Sequence, residues 1–296
     1  MTFQELFELA ELTFVDCGAS YFPPDTWQPA LGQPATRLIL VDPNGQNLEY
    51  GSKLACKTDT IPKALWSEPG TQTLYIANTD SGSSLLAPTG RPDILQSDNG
   101  YFLPLTARSI YCSSLSTELD CLDTKYVDGV KLDTQGSELE ILKGLDHDRM
   151  ERLLFVEAEV SLQSPTVYQG AATLKDFADY LEPKGFELAN IRLSRPSHSL
   201  PHSLSRPNEC DVLYAKSLHH LGALAKDPQV LLKLIALANI YYLYDYSDQI
   251  IKYISDSDIP LPWKIECIVD SQNSLRNLQS NYLSRGGLSL WHRDSA

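Results

Sequence analysis

Three aspartates stand at the ends of apolar runs: Asp16 after LTFV, Asp42 after RLILV and Asp133 after VKL. In an open parallel sheet the carboxyl ends of the strands border the ligand crevice, so acids there are candidates for binding or proton transfer. Asp42 is placed for a ribose, because two adjacent hydroxyl donors suit one bidentate acceptor. Gly18, two residues beyond Asp16, lets backbone approach a ligand closely. Asp133 has three possible roles: taking a proton from an attacking hydroxyl, holding that hydroxyl in line, or capping its own turn. An aspartate with an ordinary pKa of ~3.9 is a feeble base for an alcohol, so positioning with partial base character is expected. Glu157 and Glu159 lie two apart in RLLFVEAEV and therefore face one side of a strand. They can bind acceptor hydroxyls, gather a divalent cation with Asp133, or pair with a basic loop. Asp133 and Glu157 are the expected catalytic residues and Glu159 an acceptor-binding one, with no metal ligand among them.

The phosphate-binding patterns are missing. DCGASYF has one glycine where a dinucleotide turn needs three, and no GK[ST] follows any apolar run. A nucleoside cofactor without phosphates, such as S-adenosylmethionine, explains a ribose acid without a phosphate loop, whereas a nicotinamide dinucleotide is disfavoured.

The elements that must position these acids follow from pattern. VKLDTQGSELEILKG (Val130 to Gly144) predicts a strand, a turn on Gly136, and a helix. The helix starts at a capping box of Ser137 and Glu140 and ends on a left-handed Gly144. The extended run begins near Tyr126. MTFQELFELA predicts a first helix, with Phe3, Leu6, Phe7 and Ala10 at helical spacing. IPKALW (Ile61 to Trp66) is the third strand candidate, and SEPG turns it into a hairpin with TQTLYIAN. The Ser-, Pro-, Gly- and Asp-rich stretch from Thr79 to about Ser109 predicts a long loop. RLLFVEAEV, a helix over Thr173 to Leu181, FELANI and ECDVLYAK complete an alternation that argues for a parallel α/β sheet. From Leu218 the chain turns helical.

With 296 residues, 43% of them hydrophobic, the chain can bury an ordinary core. A net charge of -14 repels phosphate backbones and anionic lipid, so nucleic acid is a poor partner. Six scattered cysteines form no CxxC pair, which favours a reducing cytoplasm. The acidic N-terminus is unlike a signal peptide, and the apolar run Val230 to Tyr244 is shorter than a span of roughly 20 residues.

The central stretch VKLDTQGSELEILKG resembles the signature of the FkbM-type methyltransferases. VDCGAS followed by PPDTWQPAL, the VDP at Asp42, SGSSLL (Ser81 to Leu86), and FVEAEV with its downstream VYQG occur in that family's order, over about Leu12 to Lys216. The resemblance implies a Rossmann-like class I methyltransferase sheet over residues 1–217 and a helical extension over 218–296. It also implies methyl transfer from S-adenosylmethionine to a hydroxyl of a sugar, glycan or polyketide-like acceptor, as in polysaccharide biosynthesis. The expected cofactor contacts are therefore Asp16, Gly18, Ala19, Asp42, Pro43 and Leu65, and the expected acceptor contacts Ser81, Ser83, Ser84, Glu159 and His202. His198 and His202 belong to a basic, proline-broken loop, either a lid over the acceptor or a stretch with ordinary exposed histidines. Related sequences often carry glycines where this one has Tyr21 and Phe22. Bulk at that point is the basis of an alternative, a binding or scaffold module without methyl transfer. Trp66 either stacks on adenine or fills the core.

Overall fold

The computed structural model describes residues 3–20, 22–89, 103–162, 164–193, 208–257 and 259. His202, His198 and Tyr21 lie outside the described residues. The strands in chain order are β1 (Thr13–Cys17), β2 (Arg37–Val41), β3 (Lys57–Ile61), β4 (Ala64–Leu65), β5 (Gly70–Ala77), β6 (Pro104–Ser113), β7 (Gly129–Leu132), β8 (Phe155–Ser161), β9 (Phe186–Leu193) and β10 (Glu209–Lys216). Seven of them form one sheet in the order β3-β2-β1-β7-β8-β10-β9. All of its pairings are parallel except those of β10, which runs antiparallel to both neighbours. The order reverses between β1 and β7, which makes that junction the switch point where the crevice opens. This is a Rossmann-like α/β fold.

Both faces of the central strands are buried, as a parallel sheet covered by helices requires. Phe14, Leu38, Leu40 and Phe155 belong to one core, with Trp27, Leu31 and the helices α1 (Phe3–Ala10) and α2 (Gln28–Leu31). Val15, Cys17, Ile39, Val130 and Val156 belong to the other. That second face is covered by α3 (Leu115–Cys121), α4 (Glu138–Lys143), α5 (His147–Arg152) and α6 (Leu174–Leu181). The helical stretch beyond Leu218 contains α7 (Pro228–Ile240) and α8 (Tyr244–Ser255), whose Leu231, Leu234, Leu237 and Ile254 share the first core with Phe14 and Leu38. Among the described residues no helix is long and apolar enough to cross a membrane.

Several local expectations are corrected. The third strand is Lys57–Ile61, and Ile61 is only its last residue. Ala64–Leu65 forms a separate two-residue strand in a small sheet ordered β4-β6-β5. There is thus no hairpin across SEPG: β5 pairs antiparallel with β6, and β4 pairs parallel with β6. The expected loop from Thr79 to Ser109 contains the first half of β6. The strand before Asp133 begins at Gly129, three residues after Tyr126, and α5 was not expected from the pattern.

The turn into α4 is built differently from a capping box. Ser137 stands at the N-cap without a side-chain cap bond. Instead the Glu138 carboxylate accepts from Thr134 N at 2.7 Å and Gly136 N at 3.0 Å, satisfying two donors from inside the helix. Gly144 has φ -76°, so it is not left-handed; it is small because a Cβ there would sit 2.7 Å from the Trp66 carbonyl oxygen.

Candidate functional site

A cavity of about 350 Å³ opens at the C-terminal rim of β1, β2 and β7 and is roofed by the small sheet. Its size lies in the ~300–1,000 Å³ range of small-molecule sites. The structure brings Gly18, Asp42, Pro43, Leu65, Ser81, Ser83, Ser84 and Asp133 to its lining. Asp16, Ala19, Glu157 and Glu159 do not line it. Strand parity explains Asp16. Cys17 lines the cavity, so the preceding side chain points to the opposite face of β1, where Asp16 is buried with Phe14. Ala19 is buried, and its amide donates to the Val41 carbonyl at 3.1 Å.

The loop after β1 crosses the sheet with Gly18 at φ +83°, a conformation that favours glycine. A Cβ at this position would stand 1.8 Å from the Asp133 carbonyl oxygen, so the two rim turns touch only because the residue is glycine. Burial pushes Asp42 up to about 6. Its Oδ1 accepts from Asn44 N at 2.8 Å and Asn47 Nδ2 at 3.2 Å, and both of these hydrogen bonds fall on that one oxygen. The same two asparagines donate to Asp80 Oδ2 at 3.0 and 3.2 Å. The SGSSLL loop is thereby tied to the turn that holds Asp42.

Asp133 is held from two sides. Gln135 Nε2 lies 3.3 Å from Oδ1 and Lys131 Nζ lies 3.4 Å from Oδ2. Gln135 adopts φ 60°, a left-handed conformation costly for a side chain of its type, and its other contacts hold it there. Nε2 also reaches Glu159 Oε2 at 3.2 Å, the Tyr168 hydroxyl lies 3.0 Å from Oε1, and Ser84 Oγ donates to its carbonyl at 2.6 Å. Ser84 and Glu159 therefore act on the Gln135 turn. Ser83 Oγ accepts from Ala77 N at 3.1 Å, which shapes the loop.

Behind the cavity, register places Asp16, Lys131 and Glu157 side by side on β1, β7 and β8. Lys131 Nζ is 3.5 Å from Asp16 Oδ1. Burial works to lower the Lys131 pKa, but the charges of Asp16, Asp133 and Glu157 outweigh it and raise it. Burial raises Asp16 against the pull of Lys131, and burial also raises Glu157, to about 7. Glu157 Oε2 accepts from the Tyr241 hydroxyl at 2.9 Å, so its partner belongs to the end of α7 and not to an acceptor cavity. Glu159 is raised well above the usual range by burial and then by Asp133, Glu209 and Asp211.

Phe22 is exposed, packs its ring 5.2 Å from that of Tyr50 and does not line the cavity. Trp66 is half-buried and does not line it either. Asn44, Asn47, Asp80, Lys131 and Gln135 were missed from the sequence. Two of them carried a signal: Lys131 shares a strand face with Asp133, and Asn44 follows VDP directly.

The chain matches the family model of the methyltransferase FkbM domain over residues 16–188, more than half its length. It belongs to the FkbM methyltransferase family. The match opens on Asp16 and takes in every cavity-lining residue named above. No curated protein matches the chain. As an FkbM-family methyltransferase it carries the family domain on the seven-stranded sheet from β1 into β9.

Proposed function

We propose that this FkbM-family methyltransferase uses S-adenosylmethionine to methylate a hydroxyl oxygen of a sugar, glycan or related small acceptor in the cytoplasm. The observation that carries the reading is that Asp42 and Asp133 line one cavity from the ends of β2 and β7, with Gly18 beside them. The residues fit the cofactor. Both local hydrogen bonds of Asp42 use Oδ1, which leaves Oδ2 for ribose hydroxyls, and Leu65, Ala64 and Ile141 supply apolar wall for a base. The free thiols Cys17, Cys56, Cys112, Cys121 and Cys210 support a reducing compartment.

Bound there, S-adenosylmethionine would supply an electrophilic methyl group. The chain's own part is orientation and proton handling. Asp133, with 40% of its side chain exposed at the rim, accepts the acceptor hydroxyl's hydrogen bond and takes its proton as the oxygen is methylated. Gln135 and Lys131 fix the two carboxylate oxygens, and so fix the line along which the hydroxyl approaches. Lys131 is in turn anchored by Asp16, which gives Asp16 a positioning role behind the cavity.

Calorimetric titration of the full chain with S-adenosylhomocysteine tests the cofactor assignment: saturable heat is expected, and none at millimolar ligand would count against it. Labelled methyl transfer to a panel of glycans and simple sugars tests the acceptor class. Label arriving on nitrogen or carbon instead of oxygen would refute O-methylation.

A further inference from the structure

Two basic residues line the cavity, and they differ in their surroundings. Lys63 is neutralised: its Nζ donates to both Glu118 oxygens, at 2.7 and 2.9 Å. Behind the lining, Lys131 is claimed by Asp16 and Asp133. The Arg108 side chain is exposed and has no hydrogen bond or ion pair among the described residues, so its guanidinium is free to meet a ligand. It projects from β6, in register with Leu74 of β5, and Leu74, Ile76 and Leu85 supply apolar wall around the same space. The three lining carboxylates already have local partners: Asp42 and Asp80 take the asparagine amides, and Asp133 takes Gln135 and Lys131.

On this geometry, and resting on the methyltransferase reading above, we infer that Arg108 is the anion-binding residue of the acceptor subsite, so that the acceptor carries a phosphate or carboxylate group beside its apolar or sugar portion. A guanidinium is a planar fork of donors that matches either group bidentately. In a chain of net charge -14, an anionic acceptor is repelled at long range and needs such a local cation to be held. The roof strand presents this cation to the same cavity that Asp133, the residue assigned to the hydroxyl, lines, so one molecule is gripped at its charged end and methylated at its neutral end.

The test uses the full chain saturated with S-adenosylhomocysteine and titrated with glucose 1-phosphate, glucuronate and glucose. One of the two charged probes is expected to bind saturably with affinity at least about tenfold above that of glucose, which distinguishes a phosphate from a carboxylate source. Arg108→Gln should remove at least about tenfold of that affinity, Arg108→Lys should restore part of it, and S-adenosylhomocysteine binding should stay within about twofold. Equal binding of all three probes, or full binding of the charged probe by Arg108→Gln, overturns the inference. So does a tenfold loss of S-adenosylhomocysteine affinity in Arg108→Gln, since the arginine would then serve the cofactor's carboxylate. If the parent binds no S-adenosylhomocysteine while anion binding still depends on Arg108, the anion site stands and the methyl-transfer reading falls.

Discussion

The Gln135 side-chain amide donates to Asp133 Oδ1 at 3.3 Å, and it comes from a residue held at φ 60°. Because the same nitrogen reaches Glu159, and the Tyr168 hydroxyl sits at the amide oxygen, the orientation of Asp133 is set by residues far along the chain. Gln135→Glu would replace the donor to Asp133 by a second carboxylate and turn that contact repulsive. The expected result is a kcat lowered by at least about tenfold, with S-adenosylhomocysteine affinity changed less than about twofold. Tyr168→Phe, which keeps the amide but loosens it, should fall between the variant and the parent. An unchanged kcat in Gln135→Glu would remove Gln135 from the positioning of Asp133.

Asp42 gives the cofactor site a pH signature. Burial pushes it up to about 6, and only its ionised form accepts two ribose hydroxyls. Affinity for S-adenosylhomocysteine should therefore be flat above pH 7 and fall as pH drops through 6, approaching about tenfold per unit below it. Asp42→Asn should bind at least about tenfold more weakly at pH 7.5, and its profile should lose the step. A parent profile that is flat from pH 5 to 8 would separate Asp42 from ribose binding.

Two glutamates, Glu138 buried and Glu157 half-buried, act on stability in a definite direction. Glu138 and Glu157 are both raised to about 7 by burial, from an ordinary value of 4.5. Between those values the folded chain holds more protons than the unfolded chain, so their contribution is fullest below about pH 4.5 and is lost as pH rises to 7. Across pH 5 to 7.5 the Tm should decline, and in Glu157→Gln the decline should be smaller. Thermal unfolding of parent and variant over that range is the measurement, and parallel curves would show that Glu157 does not carry the proton.

The contact between the two rim turns rests on the smallness of Gly18. Gly18→Ala has to adopt φ +83° and to move the Asp133 carbonyl away from 1.8 Å, so a loss of at least about 2 kcal/mol is expected in urea unfolding. Gly70→Ala is the control. Gly70 has nothing within 4 Å of a new Cβ and a φ outside the left-handed range, and it should stay within about 0.5 kcal/mol of the parent. Equal effects at both positions would contradict the crossing geometry.

What the sequence discloses of this site depends on how local each determinant is. Asp42 and Asp133 are legible because each ends an apolar run, and a parallel sheet carries such positions to one rim. Lys57–Ile61 is not legible as a strand, since KTDTI lies at the sheet edge and buries only Ile61, leaving no alternation to detect. The strand Pro104–Ser113 is concealed likewise by exposure of its first six residues. Asp16 looks equivalent to Asp42, yet it falls on the far face of its strand, and a one-residue difference in where a strand ends is beyond pattern reading. Gln135 gains its role from Tyr168, Glu159 and Ser84, which no spacing rule brings beside it. The Ser137 and Glu140 spacing fits a capping box, but the turn is closed by Glu138, whose carboxylate takes the Thr134 and Gly136 amides instead.

The attachment of α7 to the sheet makes the last prediction. The Tyr241 hydroxyl accepts from Trp27 Nε1 at 2.7 Å and donates to Glu157 at 2.9 Å, in a region otherwise filled by Phe14, Phe155 and Leu213. Tyr241→Phe keeps the ring, which stacks on Phe155 with centroids 5.6 Å apart, and deletes only the oxygen. A buried indole N–H and a half-buried carboxylate are then both left without that partner, and a buried polar group costs about 1–3 kcal/mol when unsatisfied. A loss of roughly 2 kcal/mol or more is expected in urea unfolding. Trp27→Phe removes the donor as well, so in a double-mutant cycle the two substitutions together should cost less than their sum by at least about 0.5 kcal/mol. Strict additivity would mean that Trp27 and Tyr241 do not share the bond, leaving α7 tied to the sheet by apolar packing and by the Lys233 ammonium on Asp128.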